Sequence, residues 1–170
     1  VLDVCVRTGV LAAALVELGA TVFGVDASDE MLAIARDRLS AAGPRCALHR
    51  LDVVHDPWPE GRWDLVTLTG DSANYFAPDE LADVLGRIGS SLAPGGWALL
   101  DLNTPHKLVD VFADTTYAMS WDGFAYIWEN RPDPDGAWID FHITLFQQQE
   151  GPAWRRTVER HRQFVHQIDE

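Results

Sequence analysis

The chain opens with Val1-Leu2-Asp3-Val4-Cys5-Val6-Arg7-Thr8-Gly9, an apolar run that passes into a short polar loop. Apolar residues with helical spacing follow it: Val10, Leu11, Ala14, Leu15 and Leu18. A strand, a tight loop and a helix in this order predict a βαβ unit whose loop lies against a ligand. Glycine normally supplies the positive φ and close backbone approach that such loops need. Here only Gly9 remains, and Cys5 and Arg7 stand where glycines are expected.

The length and composition predict one domain, because 170 residues with 47% hydrophobic content can bury a single core. The formal net charge of -13 disfavours binding to nucleic acid or to an anionic membrane surface. The basic stretch from Arg155 to Arg162 alternates like a strand, which favours a solvated or cavity-facing strand over a phosphate-binding track. No apolar run approaches the roughly 20 residues of a membrane span.

The two cysteines, Cys5 and Cys46, lie far apart and form no C-x-x-C motif. This usage is typical of a reduced protein, so we expect a cytoplasmic location. The six histidines lack the spacing of tetrahedral metal ligands, and we expect no bound metal.

Strand-like and helix-like patterns alternate as far as about residue 103, which predicts an α/β fold with a mostly parallel sheet covered by helices on both faces. The predicted strands are Val1–Val6, Thr21–Ala27, Cys46–Leu51, Trp63–Thr69 and Trp97–Asn103. Acidic residues lie in or at the end of the first three strands: Asp3, Asp26 and Asp52. Polar residues at the carboxyl ends of parallel strands share one edge of the sheet, where such folds bind ligands.

Two further helices are predicted between these strands. Ser28 is the expected N-cap of the second helix, since Asp29 and Glu30 in the first turn favour its positive end. Its expected buried face is Met31, Leu32, Ala35 and Leu39. The third helix begins near Pro78 and stops at Pro94-Gly95-Gly96. Its expected buried face is Leu81, Val84, Leu85, Ile88 and Leu92.

Beyond Pro105 the apolar residues recur at every second position, which predicts antiparallel strands. One strand carries Phe124, Tyr126 and Trp128, the next Ile139, Phe141, Ile143 and Leu145, and the third Val158, Phe164 and Ile168. The turn between the first two is Pro132–Gly136. We expect one domain over residues 1–170, with a βα core over 1–104 and an antiparallel β meander over 105–170.

Five segments carry a family resemblance: Val1–Gly9, Val25–Ser28 with Met31-Leu32, Leu51–Val53, Trp63–Val66 and Leu92–Gly96. In this order and spacing they resemble the motifs of class I S-adenosylmethionine-dependent methyltransferases of the small-molecule type. The resemblance spans almost the whole chain and implies a Rossmann-like, doubly wound fold that uses S-adenosylmethionine. It also implies a helix before the first strand, and a final helix and two strands after the meander. Their absence leads us to expect a chain truncated at both ends.

The resemblance assigns the nucleoside part of the cofactor to four residues. Asp26 would accept both ribose hydroxyls, because a carboxylate has enough acceptor sites to do so. Asp52 would accept the adenine amino group, and the Val53 amide would donate to the ring. Met31 would offer a soft apolar surface to the adenine face. Structural alternatives stay open: Asp26 and Asp52 could cap helices or turns, and Met31 could belong to the core.

The same resemblance assigns the methionine part to Asp3, to the turn at Gly9 and to main-chain groups near Thr69 and Gly70. Asp3 could instead only tie the loop to neighbouring amides. Arg7 leaves two alternatives open. A left-handed conformation there costs roughly 1–2 kcal/mol, and a side chain in the methionine pocket would cost more. Alternatively, the guanidinium pairs with the cofactor's carboxylate, although the same charge repels the sulfonium.

Residues that could handle the methyl acceptor are Asp71, Asn74, Tyr75, Tyr126, Trp128, His142 and His161. Either histidine could act as a base, although methyl transfer needs one only when the acceptor is protonated. The alternatives are polar surface or capping roles for the histidines and packing on the sheet for the aromatic rings. We therefore assign no catalytic residue.

Two functions remain after this reading. The first is methyl transfer to a nitrogen or oxygen of a small molecule in the cytoplasm, without a nucleic-acid or membrane partner. The second, motivated by Cys5 and Arg7, is a catalytically inactive binding or assembly module. A nicotinamide-dependent oxidoreductase is disfavoured because G-x-G-x-x-G is absent. A homodimer remains an open alternative to a monomer.

Overall fold

The computed structural model describes residues 1–167, which form two compact units. The first unit contains residues 1–73 and 79–102. The second contains residues 74–78 and residues 103–167. Within the described range, no helix combines the length and the apolar character needed to span a membrane.

The first unit is a parallel sheet with three α-helices, as the alternating pattern predicts. Its strands are β1 (Leu2–Val4), β2 (Val22–Asp26), β3 (Cys46–Arg50), β4 (Trp63–Leu68) and β5 (Leu92–Leu100). Its helices are α1 (Val10–Glu17), α2 (Asp29–Arg38) and α3 (Pro78–Ser91), and a 3₁₀ segment covers Ser40–Arg45. The strand order is β3-β2-β1-β4-β5, and every neighbouring pair is parallel.

Strand β1 lies at the centre of this sheet. Its three residues are almost completely buried, as expected for a parallel strand with neighbours on both sides. Asp3 pairs in register with Gly24 of β2 and Thr67 of β4, so a carboxylate stands in the middle of the buried sheet. The loops that follow β1, β2 and β4 leave the sheet at the same edge, which places the first loop among them.

Helices α1 and α2 pack through a small core that differs in part from the predicted faces. Helix α1 buries Ala12 and Val16, whereas Val10 and Leu18 are exposed. Helix α2 begins as predicted, since Ser28 Oγ accepts the Met31 N–H at 3.2 Å. Leu32, Ala35 and Leu39 are buried as expected, but Met31 is 39% exposed. Side chains of a helix point back towards its N-terminus, so one in the first turn extends past the covered part of the helix.

The boundary between α3 and β5 lies earlier than predicted. Helix α3 ends at Ser91 and leaves Leu85 partly exposed, and β5 runs from Leu92 to Leu100 instead of Trp97 to Asn103. Pro94-Gly95-Gly96 therefore belongs to an irregular start of the strand, where the register with β4 shifts. A Cβ on Gly96 would lie 2.8 Å from the Trp63 carbonyl oxygen, so glycine permits this close approach of two backbones.

The second unit is a four-stranded antiparallel meander rather than the predicted three strands. Its strands are β6 (Thr116–Trp121), β7 (Phe124–Pro132), β8 (Trp138–Gln148) and β9 (Trp154–Phe164), in the order β6-β7-β8-β9. A π-helix, His106–Phe112, precedes them. Both the π-helix and β6 are absent from the prediction. Every residue of β6 is exposed, so burial leaves little imprint on its sequence.

A small core supports the meander. Leu108, Ile139 and Phe141 are buried together, with Phe112 and Trp128 packed against them. The four arginines of β9 are exposed, in agreement with the solvated strand predicted for them. Ile168, the last residue of the predicted third strand, lies outside the described residues.

Substitution of Gly9 tests the packing of the first loop on α2. Gly9 has φ 74°, and a Cβ there would lie 2.9 Å from Leu39 Cδ1 and 3.1 Å from Ala35 Cβ. Gly19 has φ 92° with open space around it, which makes Gly19→Ala the matched control. We expect urea denaturation to show a loss of about 1–2 kcal/mol for Gly19→Ala from strain alone. Gly9→Ala should lose about 1–3 kcal/mol more through overpacking. Equal losses would contradict this packing.

Candidate functional site

A cavity of about 420 Å³ lies in the first unit, between the loop after β1, the first turns of α1 and the end of β4. Its lining consists of Asp3, Cys5, Val6, Arg7, Thr8, Val10, Leu11, Ala14, Thr69 and Gly70. The lining combines an apolar wall with one acidic and one basic side chain. Such a combination suits a ligand that is part apolar and part charged.

The loop after β1 keeps a glycine-type backbone without the glycines. Cys5 and Arg7 have φ of 56° and 54°, and Gly9 has 74°. Arg7 therefore takes the left-handed backbone conformation considered in the sequence analysis. This conformation costs a non-glycine residue roughly 1–2 kcal/mol. Hydrogen bonds offset this cost: the Val6 N–H donates to the Val25 carbonyl at 2.8 Å, and the Arg7 N–H donates to Asp26 Oδ2 at 2.7 Å.

Asp26 holds two segments of backbone at the end of β2. Besides the Arg7 N–H, its carboxylate accepts the Ser28 N–H on Oδ1 at 2.9 Å, and the residue is 8% exposed. Asp26 therefore caps a turn, which is one of the two roles that the sequence left open for it. A carboxylate has about four lone-pair sites, so two backbone donors leave acceptor capacity for hydroxyl groups.

Asp3 is the buried acid of the cavity. Its Oδ1 accepts the Thr67 hydroxyl at 2.6 Å, whereas its Oδ2 is buried with no hydrogen-bond partner among residues 1–167. Burial raises the pKa of Asp3 to about 6; the Thr67 hydroxyl acts to lower it and the Asp26 charge to raise it. Because Asp3 lines the cavity, its unpartnered oxygen is suited to a donor supplied by a ligand.

The Arg7 side chain is the basic group of the cavity. Its Nη1 donates to the Gly70 carbonyl at 2.9 Å and lies 4.0 Å from Asp71 Oδ1. A Cβ on Gly70 would lie 2.0 Å from this Nη1, so the guanidinium covers the face of Gly70 directly.

The turn after β4 is fixed by a residue that the sequence reading missed. Asp101, just beyond β5, accepts the N–H groups of Gly70 and Asp71 at 3.1 and 2.7 Å. Asp71 is itself left-handed, with φ 58°. The signal was present, because Asp101 is one more acidic residue at the carboxyl end of a strand.

Sequence and structure comparisons fit this arrangement. The family model described as "Methyltransferase domain" matches residues 1–96, which is more than half of the chain. This chain belongs to the methyltransferase family. A solved S-adenosylmethionine-dependent methyltransferase from Clostridium acetobutylicum is 26% identical with a TM-score of 0.87, and the match covers 97% of this chain and 66% of that one. S-adenosylmethionine is accordingly the cofactor of the class to which this methyltransferase belongs.

Two curated relatives extend over the whole chain. "Putative methyltransferase YqeM" of Bacillus subtilis is 29% identical over 171 residues, which are 100% of this chain and 68% of that protein. "Putative methyltransferase GWCH70_2453" of a Geobacillus species is 30% identical, and the match covers 100% of this chain and 69% of that protein. This methyltransferase therefore spans about two thirds of the length of its relatives.

The structure brings some of the predicted cofactor residues together and leaves others outside the cavity lining. Asp3 and Thr69 line the cavity, and Gly9 is the N-cap of α1 beside it. Asp26 is tied to the same loop through the Arg7 N–H. Met31, Asp52 and Val53 do not belong to the lining.

Asp52 and Val53 occupy a hydrogen-bonded turn after β3. Asp52 Oδ1 accepts the Val54 N–H at 3.0 Å. Burial acts to raise the pKa of Asp52, but the Val54 N–H and His55 more than offset it, so the pKa lies below its ordinary value. The Val53 carbonyl accepts Trp58 Nε1 and Arg87 Nη1, which fixes this turn. The Met31 side chain is exposed and is not a core residue.

Among the candidates for the methyl acceptor, Asn74 has a structural role in the second unit. Its side-chain amide donates to the carbonyls of Asn103 and Phe164 at 3.1 and 3.0 Å, and its Oδ1 accepts the Asn103 N–H at 2.7 Å. Trp128 also packs internally, with its ring 5.3 Å from that of Phe141. These contacts favour the packing alternative for Trp128 and give Asn74 a structural role that the sequence did not indicate.

The two candidate bases lie on different faces of the meander. His161 pairs in register with Phe141, and His142, the next residue of β8, points to the opposite face. His161 contacts the Tyr75 ring edge-on at 6.1 Å, and its Nε2 lies 3.3 Å from Glu159 Oε2. His161 thus has the neighbours that would orient an imidazole.

The raised pKa of Asp3 predicts a pH dependence of stability. Because this pKa is about 6 when folded and 3.8 in a free carboxyl, the favourable contribution of Asp3 is complete below pH 3.8 and is lost as the pH rises through 6. Relative to Asp3→Asn, the wild type should lose about 2 kcal/mol of unfolding free energy between pH 4 and pH 7. Urea denaturation across this range measures it. Exposed Asp37→Asn should track the wild type, and a parallel Asp3→Asn curve would refute the assignment.

Proposed function

We propose that this chain transfers the methyl group of S-adenosylmethionine to a nitrogen or oxygen of a small molecule. The observation that carries the proposal is Asp3: a buried carboxylate with one unpartnered oxygen lines a cavity beside a helix N-terminus. An amino acid's ammonium is a donor that fits this oxygen, and the apolar wall suits the adjoining carbon chain.

The methionine end of the cofactor would occupy this cavity. Asp3 would accept the ammonium, while the turn at Gly9 and the main chain near Thr69 and Gly70 would enclose the rest. The glycine at position 9 lets the loop approach α2 closely, which sets the position of the turn. Beyond the cavity, Asp26 would accept the ribose hydroxyls with the lone pairs that Arg7 and Ser28 leave available.

The adenine end would lie at the neighbouring strand ends. Asp52 is about half exposed and would accept the adenine amino group, with the Val53 amide donating to the ring. The exposed side chain of Met31 supports a contact with the adenine face.

The bound cofactor supplies a methyl group on a positively charged sulfur. The protein's own task is to hold the acceptor in line with it and to exclude water. Within the second unit, His161 has Glu159 beside it and is the better oriented of the two imidazoles proposed as bases from the sequence. A neutral amine needs no base before it attacks.

Related folds suggest where the acceptor search should begin. CalS10 of Micromonospora echinaspora, titled an amino pentose methyltransferase, is 21% identical with a TM-score of 0.74, and KedS8 of a Streptoalloteichus species, titled a sugar N-methyltransferase, is 22% identical with a TM-score of 0.75. At this identity the likeness concerns the fold alone. Amino sugars are therefore the first members of an acceptor panel rather than an assigned substrate.

A binding module without transfer activity is the second candidate. It is favoured by one observation: Arg7, which stands where the family has a glycine, lines the cavity that the cofactor would need. Cys5 offers no alternative chemistry there, because burial, reinforced by the Asp26 and Asp3 charges, raises the pKa of its thiol to about 12.

Cofactor binding is tested by calorimetric titration of S-adenosylmethionine at pH 5 and pH 8. Only ionised Asp3 pairs with the ammonium, so the affinity should be about tenfold weaker at pH 5. Asp3→Asn should abolish this pH dependence, and Asp37→Asn should retain it. Absence of binding at both values would remove cofactor use from the proposal.

Turnover is tested by incubating the chain with S-adenosylmethionine and a panel of amino sugars, amines and phenols. We expect acceptor-dependent release of S-adenosylhomocysteine and a product heavier by one methylene group, both detected by mass spectrometry. Asp26→Ala should abolish the release, with a thermal melt showing that the variant is folded. Binding without any acceptor-dependent release would favour the inactive module.

A further inference from the structure

The Arg7 guanidinium is an incompletely neutralised cation in the cavity. It has five N–H donors, and the described part of the chain gives it one hydrogen bond, to a neutral carbonyl at Gly70. Its nearest carboxylate contact, Asp71 Oδ1, lies 4.0 Å away, and the Arg7 side chain is 55% exposed. The guanidinium therefore has donors available for an anion in the cavity that Asp3 also lines.

The guanidinium is also held in place. The Arg7 backbone is left-handed and is bonded to Asp26 through its N–H, and Nη1 is anchored on Gly70. An arginine fixed at one nitrogen loses less side-chain entropy when the remaining N–H groups bind a planar anion. The first turn of α1 lies in the same lining, and this helix has no acidic residue there to compete for the anion.

We propose that Arg7 is a specificity-determining residue, whose guanidinium binds the carboxylate of the cofactor's amino-acid end while Asp3 accepts its ammonium. The cavity then recognises a zwitterion with one charge of each sign. This inference rests on the proposed function. Arg7, which stands where the family has a glycine, then strengthens cofactor binding and does not obstruct the cavity.

The test compares two ligands that differ only in the carboxylate: S-adenosylhomocysteine and its analogue without the carboxylate. Both are neutral at sulfur, so repulsion between Arg7 and a sulfonium does not enter. Calorimetry on the wild type should show S-adenosylhomocysteine binding roughly 10- to 100-fold more tightly than the analogue, as for a charge-assisted hydrogen-bonded pair.

Arg7→Met separates the effect of the charge from that of backbone strain. Methionine has an unbranched side chain like arginine, and in the left-handed conformation it has the same backbone cost. In this variant the preference for the carboxylate should fall to within about threefold, through weaker binding of S-adenosylhomocysteine. Arg36→Met is the matched control, since it removes the same charge from an exposed position outside the cavity lining and should preserve the preference.

The remaining outcomes are distinct. Two results would mean that Arg7 does not contribute to affinity: Arg7→Met binds S-adenosylhomocysteine at least as tightly as the wild type, or binding is seen only in Arg7→Met or Arg7→Gly. In either case the inference would be wrong while cofactor use would stand. If neither the wild type nor either Arg7 variant binds S-adenosylhomocysteine, both the inference and the proposed function fail.

Discussion

The hydrogen bond from the Arg7 N–H to the Asp26 carboxylate is the contact on which the arrangement of the cavity depends. It joins the loop after β1 to the end of β2 and holds a non-glycine residue in the left-handed region. The same carboxylate fixes the Ser28 N–H at the start of α2. One acidic side chain therefore sets the positions of two loops at the ligand-binding edge of the sheet.

This contact also explains how the loop can lack glycines. Glycine would adopt the required φ at little cost, whereas Cys5 and Arg7 each add roughly 1–2 kcal/mol of strain. Main-chain hydrogen bonds and a charge-assisted one offset that strain locally. Gly9 is different because its backbone lies against Ala35 and Leu39, where any side chain would collide. The glycine that remains is the one required by packing as well as by φ.

Two charges face the cavity for different reasons. Asp3 is buried by its place in the central strand, which raises its pKa to about 6. Arg7 is partly exposed and extends from the loop to the Gly70 carbonyl. A sheet position and a loop conformation thus bring opposite charges into one lining. A neutral apolar ligand would desolvate both charges further and supply no group of opposite sign to either.

Much of the parallel sheet could be predicted from the sequence, because buried parallel strands are continuous apolar runs and Ser28 with its acidic neighbours marks a helix start. The boundary between α3 and β5 could not be predicted, because Pro94-Gly95-Gly96 is typical of a helix stop but lies inside the strand. There Gly96 permits close backbone approach to Trp63. Strand β6 is exposed throughout, so no apolar alternation marks it. Its local signal is the two-residue turn Asp122-Gly123, across which it pairs with β7. The direction of the Arg7 side chain depends on Gly70, 63 residues away, so no local pattern encodes it.

A crystal structure of this chain with S-adenosylhomocysteine tests the central claim most directly. The account predicts the ligand's ammonium within hydrogen-bond distance of Asp3 Oδ2 and its carboxylate on the Arg7 guanidinium, with the Arg7 N–H still bonded to Asp26. A ligand whose amino-acid end lies outside this cavity, or an Arg7 side chain turned away to admit it, would contradict the account.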